Sequence, residues 1–138
     1  MFGDDGEPAV TGRSRAPEND ALVRRFLAAW EQRDTDFIVS CFTADAVYHS
    51  VPLTPIVGRP AIAEFVAGFE GVPPGRLEIH HQVAGAHVGM NERTDHITLH
   101  GHPVSLAIMG IFEIENGRIA AWREYFDLAP VRAAFDGP

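Results

Sequence analysis

The chain has 138 residues, enough for one domain that buries roughly 70% of its unfolded surface with no metal or disulfide to hold it together. A formal charge of −8, from 19 acids against 11 scattered basic residues, disfavours nucleic acid, which calls for a basic stripe; a neutral, apolar or cationic ligand is easier to accommodate. The single cysteine, Cys41, excludes an intramolecular disulfide. A start without the basic and apolar stretches of a signal peptide, and the lack of any apolar run near ~20 residues, make a cytoplasmic, non-membrane protein the expectation.

Residues 1–16 carry Gly3, Gly6, Pro8 and Gly12 among charges without apolar periodicity and read as a flexible tail, leaving 17–138 as the domain. From Pro17, Leu22, Val23, Phe26, Leu27 and Trp30 keep helical spacing, with Asn19 or Asp20 as cap. A shorter helix follows Arg33-Asp34, carried by Phe37, Ile38, Cys41 and Phe42 and ending near Asp45. The run 46–51 favours a strand, which Pro52, Pro55 and Gly58 break into a loop. Pro60 suits the first turn of a third helix with Ile62, Phe65, Val66 and Phe69 on its apolar side.

The second half is strand-like over 76–84, 86–99, 104–114 and 118–128, with a type I′ hairpin signal at Asn116-Gly117. Helices first and a meander later, without βαβ alternation, predict an α+β domain in which a strongly curved mixed or antiparallel sheet wraps the helices around a pocket.

The chemistry lies on those strands. Arg93, Asp95, Ile97 and Leu99 share a face, so an ion pair looks into an aliphatic surrounding, as in a ligand site. Leu106 and Ile108 supply a further aliphatic wall, and Val66 and Phe69 are candidates on the third helix. A second acid near the end of the last strand would let one arginine hold two carboxylates in different protonation states, the arrangement that push-pull hydrolysis needs. Tyr48 and Ser50 share a face and can hold one water between two hydroxyls.

Glu92-Arg93-Thr94-Asp95, Gly110-Ile111-Phe112, Asn116-Gly117-Arg118-Ile119 and Trp122-Arg123-Glu124-Tyr125-Phe126-Asp127-Leu128 together resemble limonene-1,2-epoxide hydrolase and its relatives. These are cone-shaped α+β domains of the nuclear-transport-factor-2-like (cystatin-like, SnoaL-like) superfamily. The resemblance covers about residues 20–130. It implies an epoxide hydrolase without cofactor that converts an apolar or cyclic epoxide to a vicinal diol in one step. Carried over residue by residue, it makes Asp127 the general base, Asp95 the general acid, Arg93 the bridge and Tyr48 a water ligand. Ser50 stands where the family pattern has asparagine. No chemical role carries over to Arg118, Arg123 or Glu124, which fall to the surface or a dimer contact; a homodimer through the outer sheet face is implied.

Other readings stay beside this one. The same residues suit an epoxide-opening cyclase, in which a substrate hydroxyl replaces water, a cyclase or isomerase on a polyketide or steroid-like substrate that uses an acid/base pair, or a small-molecule-binding domain without chemistry. His96, His100 and His102 share a face opposite Arg93 and Asp95, and no HExxH or Cys/His spacing accompanies them, so a polar outer face is favoured over a metal site. Trp30 and Trp122 read as core or interface anchors.

Overall fold

Apolar periodicity in the first half and alternation in the second resolve into four helices on one curled sheet. The computed structural model describes residues 8–136. The helices are α1 (Pro8–Gln32), α2 (Thr35–Ser40), α3 (Arg59–Ala67) and α4 (Ala129–Asp136). The strands are β1 (Phe42–Ser50), β2 (Ile56–Val57), β3 (Arg76–Ala84), β4 (Val88–Leu99), β5 (His102–Glu115) and β6 (Arg118–Tyr125). They form one six-stranded sheet in the order β2-β1-β6-β5-β4-β3, in which β1 and β6 run parallel and the other neighbours antiparallel. The predicted α+β class with a mixed sheet is what the chain adopts.

Three boundaries differ from the sequence reading by more than two residues. Residues 1–7 of the expected tail lie outside the described residues, and α1 takes in 8–16 and runs through Pro17. The missing N–H of Pro17 costs that turn one hydrogen bond, and the apolar stripe begins only at Leu22, so no periodicity announces the earlier turns. Phe42, grouped with the second helix, opens β1 instead, because α2 ends at Ser40 with Cys41 as its cap. The last strand stops at Tyr125 rather than 128, and the chain then forms α4, which its short length hid.

The helices pack their apolar stripes on the concave face. Phe26 is fully buried and meets Phe42, Phe112 and Trp122 edge to face, with centroids 5.4, 6.0 and 4.9 Å away, the geometry that the ring quadrupole favours. Trp122 stacks on Tyr48 at 4.3 Å and on Phe112 at 5.6 Å, so one aromatic column ties α1 to β1, β5 and β6. Cys41 is buried among these groups, and burial pushes its thiol up to about 11. The Asn116-Gly117 hairpin has both residues at positive φ, 49° and 78°, as a type I′ turn requires. Among the described residues, no helix is long and apolar enough to cross a membrane.

Because Phe26 joins three elements with no room to relax, Phe26→Ala should destabilise the fold by about 3–5 kcal/mol. Chemical denaturation of wild type and variant, compared at midpoint and slope, checks this.

Candidate active site

Residues of β4 alternate across the sheet, which sends Asn91, Arg93 and Asp95 to the concave side, where all three are buried. The Arg93 side chain is 1% exposed. Its Nε donates to Asp95 Oδ1 at 3.0 Å and its Nη2 to Asp95 Oδ2 at 2.9 Å, a two-point contact suited to the planar fork. Nη2 also reaches Glu124, at 3.0 Å from Oε1 and 2.9 Å from Oε2. Nη1 donates to Asn91 Oδ1 at 3.0 Å. Gly110 lies between Asn91 and Glu124 in the sheet register, and a Cβ there would sit 2.8 Å from Arg93 Nη1 and 2.9 Å from Glu124 Oε2. The guanidinium and the Glu124 carboxylate thus crowd the space over Gly110, a place only glycine leaves open.

The second carboxylate is therefore Glu124, and the expectation for Asp127 is corrected. Asp127 is exposed, and its Oδ1 accepts from Ala129 N at 2.9 Å, forming the turn that opens α4. A register shift between Glu113 and Ile114 puts Trp122, and Glu124 two residues on, on the same concave face as Ile119, and on that phase Arg123 and Tyr125 point outward. Trp122 Nε1 donates to Glu124 Oε2 at 2.9 Å. The surface role expected for Glu124 is overturned by its burial at 5% exposure. The signal was present in Trp122-x-Glu124, an acid in phase with a buried aromatic.

Parallel pairing of β1 with β6 sets Tyr48 opposite Trp122 and Ser50 opposite Glu124. Ser50 Oγ donates to Tyr48 OH at 3.1 Å, which leaves the phenol proton free for another acceptor. Both side chains line a cavity of about 190 Å³ together with Arg93, Asp95 and Glu124. Its apolar wall includes the expected Phe69, Ile97, Leu106 and Ile108, and also Trp30, Leu77, Phe126 and Val131. Val66 is the exception. It turns with Ile62 into the core, and the cavity is lined instead by Phe65 of α3 and by Phe69, two residues past the end of that helix. Trp30 is both a core residue and a wall of this cavity.

Burial pushes the Glu124 carboxyl up from 4.5 to about 7, with Arg93 opposing and the neighbouring Asp95 adding to the rise. Burial opposes the charge of Arg93, but Glu124 and Asp95 outweigh it and hold the guanidinium firmly protonated. Burial and the nearby Glu124 keep Tyr48 a neutral phenol. On the opposite face His96 meets Glu78 and Ser105, and His80 meets Thr94. No cluster of three or more metal-ligating side chains occurs among the described residues.

Residues 17–135 match the limonene-1,2-epoxide hydrolase catalytic domain family. Epoxide hydrolase EphG of Mycobacterium tuberculosis is 31% identical over 106 residues, 77% of this chain and 71% of that protein. A solved M. tuberculosis epoxide hydrolase described as similar to limonene-1,2-epoxide hydrolase superposes with a TM-score of 0.78 at 28% identity, over 86% of this chain and 90% of its own. A nuclear-transport-factor-2-like protein from Burkholderia pseudomallei shares the fold, with a TM-score of 0.76 at 18% identity over 87% of this chain and 98% of its own.

The raised Glu124 group gives a signed stability prediction. Between pH 4.5 and about 7 the unfolded chain releases this proton while the folded chain keeps it, so stability falls as pH rises through that window and levels off above it. Glu124→Gln should flatten that slope, which denaturant titrations at stepped pH measure directly.

Proposed function

The chain belongs to the limonene-1,2-epoxide hydrolase family, and from that premise we propose that it opens an apolar or cyclic epoxide to a vicinal diol in one step, without a cofactor. The observation that carries this reading is one buried guanidinium joining two carboxylates at the wall of a mostly apolar cavity. In the proposed step, Glu124 is the general base and Asp95 the general acid, with Arg93 holding both. A water accepts from Tyr48 OH and donates to Glu124 and to Ser50 Oγ, which leaves one lone pair for the epoxide carbon. The new C–O bond forms as the ring C–O bond breaks; the water proton goes to Glu124 and the Asp95 proton to the epoxide oxygen.

Assignment of the base to Glu124 is supported by Ser50 lying opposite it and Tyr48 opposite its neighbour Trp122, since these two hydroxyls are the groups able to seat a water. Asp95 lies opposite Leu106 and Leu77, on the aliphatic side where the substrate body would rest. Acid and base each typically contribute ~10²–10⁴-fold, which suits an epoxide, whose ring is strained but whose alkoxide leaves poorly. Phe69, Ile97, Leu106 and Ile108 would contact the substrate.

The mechanism needs one proton on the carboxylate pair. Burial of Glu124 keeps that proton on the pair up to about 7; the reactive form carries it on Asp95 with Glu124 ionised, so kcat/KM should fall as the pair loses it through that value. Diol formation from a panel of cyclic epoxides in ¹⁸O-labelled water tests the step. Label should enter the diol; Glu124→Gln and Asp95→Asn should each lose at least roughly 10²-fold in kcat. Asp127→Asn, which keeps a side-chain acceptor for Ala129 N, should stay within about twofold. Unlabelled cyclised product would move the assignment to a substrate hydroxyl as nucleophile.

The outer sheet face supports a homodimer as the second part of the proposal. Met109 pairs in register with Tyr125 on one side and Glu92 on the other, and Met90 with Ile111; Met90, Met109 and Tyr125 are exposed. A second copy is the occupant proposed for this face. Sedimentation velocity should give a dimer for wild type and a monomer for Met109→Asp; a monomeric wild type would remove this part of the reading.

A further inference from the structure

We propose that Asn91 is a positioning residue for Arg93, oriented by a one-way chain of hydrogen bonds that ends at Asp20 on α1. The inference rests on the reading of Arg93 as the bridge of the carboxylate pair. Asn91 is 2% exposed. Its Oδ1 accepts from Arg93 Nη1 at 3.0 Å, and its Nδ2 donates to Gln82 Oε1 at 3.0 Å. Gln82 Nε2 in turn donates to Asp20 Oδ1 at 2.8 Å and to the Asp20 carbonyl at 3.2 Å. Asp20 is itself paired with Arg24 at 3.0 Å.

The two ends of the chain fix its direction. A guanidinium can only donate and an ionised carboxylate can only accept. Two primary amides strung between them satisfy every link in one sense alone, with both carbonyl oxygens toward Arg93. The Gln82 contact holds Asp20 below the usual carboxylate range, so this end stays an acceptor. If Asn91 turned its amide over, its NH₂ would face the guanidinium and its carbonyl oxygen would face Gln82 Oε1, and both links would be lost.

The effect on the site follows from what Nη1 would otherwise do. Nε and Nη2 are committed to Asp95 and Glu124, and Gly110 sets no side chain against Nη1 to hold it in place. A neutral acceptor at Nη1 holds the fork with those two groups facing the carboxylates and adds no third negative charge. Without it, Nη1 competes for the same oxygens and the two-point contact with Asp95 is lost. Neither Asn91 nor Gln82 lines the cavity, so both act through Arg93.

The test follows the Glu124 carboxyl by ¹³C NMR titration in labelled wild type, Asn91→Asp and Gln82→Met, with kcat, KM and melting temperature on the same samples. Asn91→Asp sets a third carboxylate on the guanidinium and should raise the Glu124 midpoint by about one unit, moving the alkaline fall in kcat/KM to higher pH with it. Gln82→Met frees the Asn91 amide to turn and should cost roughly tenfold in kcat with KM nearly unchanged, the pattern of a lost transition-state interaction. Glu124 midpoints equal to wild type in both folded variants would overturn the proposal. So would a kcat loss in Gln82→Met that only tracks the fraction of folded protein. Because the titration needs no substrate, a shifted midpoint in protein that turns over no epoxide would support the positioning role while removing the hydrolase mechanism.

Discussion

A buried arginine is tolerable only if its charge and its N–H groups are answered within the protein, and much of this domain is arranged to answer Arg93. Asp95 comes from the same strand, Glu124 from two strands away, and Asn91 from one turn of the pleat behind. They converge because Gly110 on the intervening strand has no side chain. Removing one partner would strand a charge in the core, whereas the complete set is self-consistent. The second consequence is chemical: two carboxylates on one guanidinium leave a site one proton short of neutrality. Burial of Glu124 keeps that proton on the pair far above the ordinary carboxylate range.

The aromatic column beneath the site does two jobs with the same atoms. Trp122 fills the core through Phe26, Phe112 and Tyr48, and its Nε1 orients Glu124. Tyr48 stacks on Trp122 while its hydroxyl faces the cavity with Ser50. Packing density therefore supplies the rigidity that the polar groups need. Trp30 continues the pattern, tilted against Trp122 and edge-on to Phe69.

Strand alternation made half of the site legible in the sequence and hid the other half. Arg93-x-Asp95 followed by Ile97 and Leu99 announced an ion pair facing an aliphatic wall, because β4 pairs with β5 in unbroken register from Val88 to Leu99. β6 does not: Ile119 and Trp122 are both buried, three residues apart, and parity counted through that register shift fails. The carry-over settled on Asp127 where phase from Trp122 would have pointed to Glu124. Asn91 and Gln82 escaped notice because amides carry no charge pattern, and their meaning arises only when β3, β4 and α1 come together. Helix α4 was missed for a different reason: eight residues are too few for periodicity to stand out from a strand that precedes it.

The two departures from the family pattern meet across one strand pair. The pattern has an asparagine two residues beyond the tyrosine and an aspartate as base on the last strand; this chain has Ser50 and Glu124, which are register partners on β1 and β6. Serine is shorter than asparagine by an amide group, and glutamate is longer than aspartate by one methylene. On the proposed reading the base reaches further into the space that the smaller hydroxyl vacates, so the water is held between carboxylate and hydroxyls rather than by an amide. The Ser50 hydrogen is spent on Tyr48, which leaves its oxygen as an acceptor for the water and the phenol as its donor. On that reading, one shortened and one lengthened side chain, side by side in register, would keep a single seat for the nucleophile.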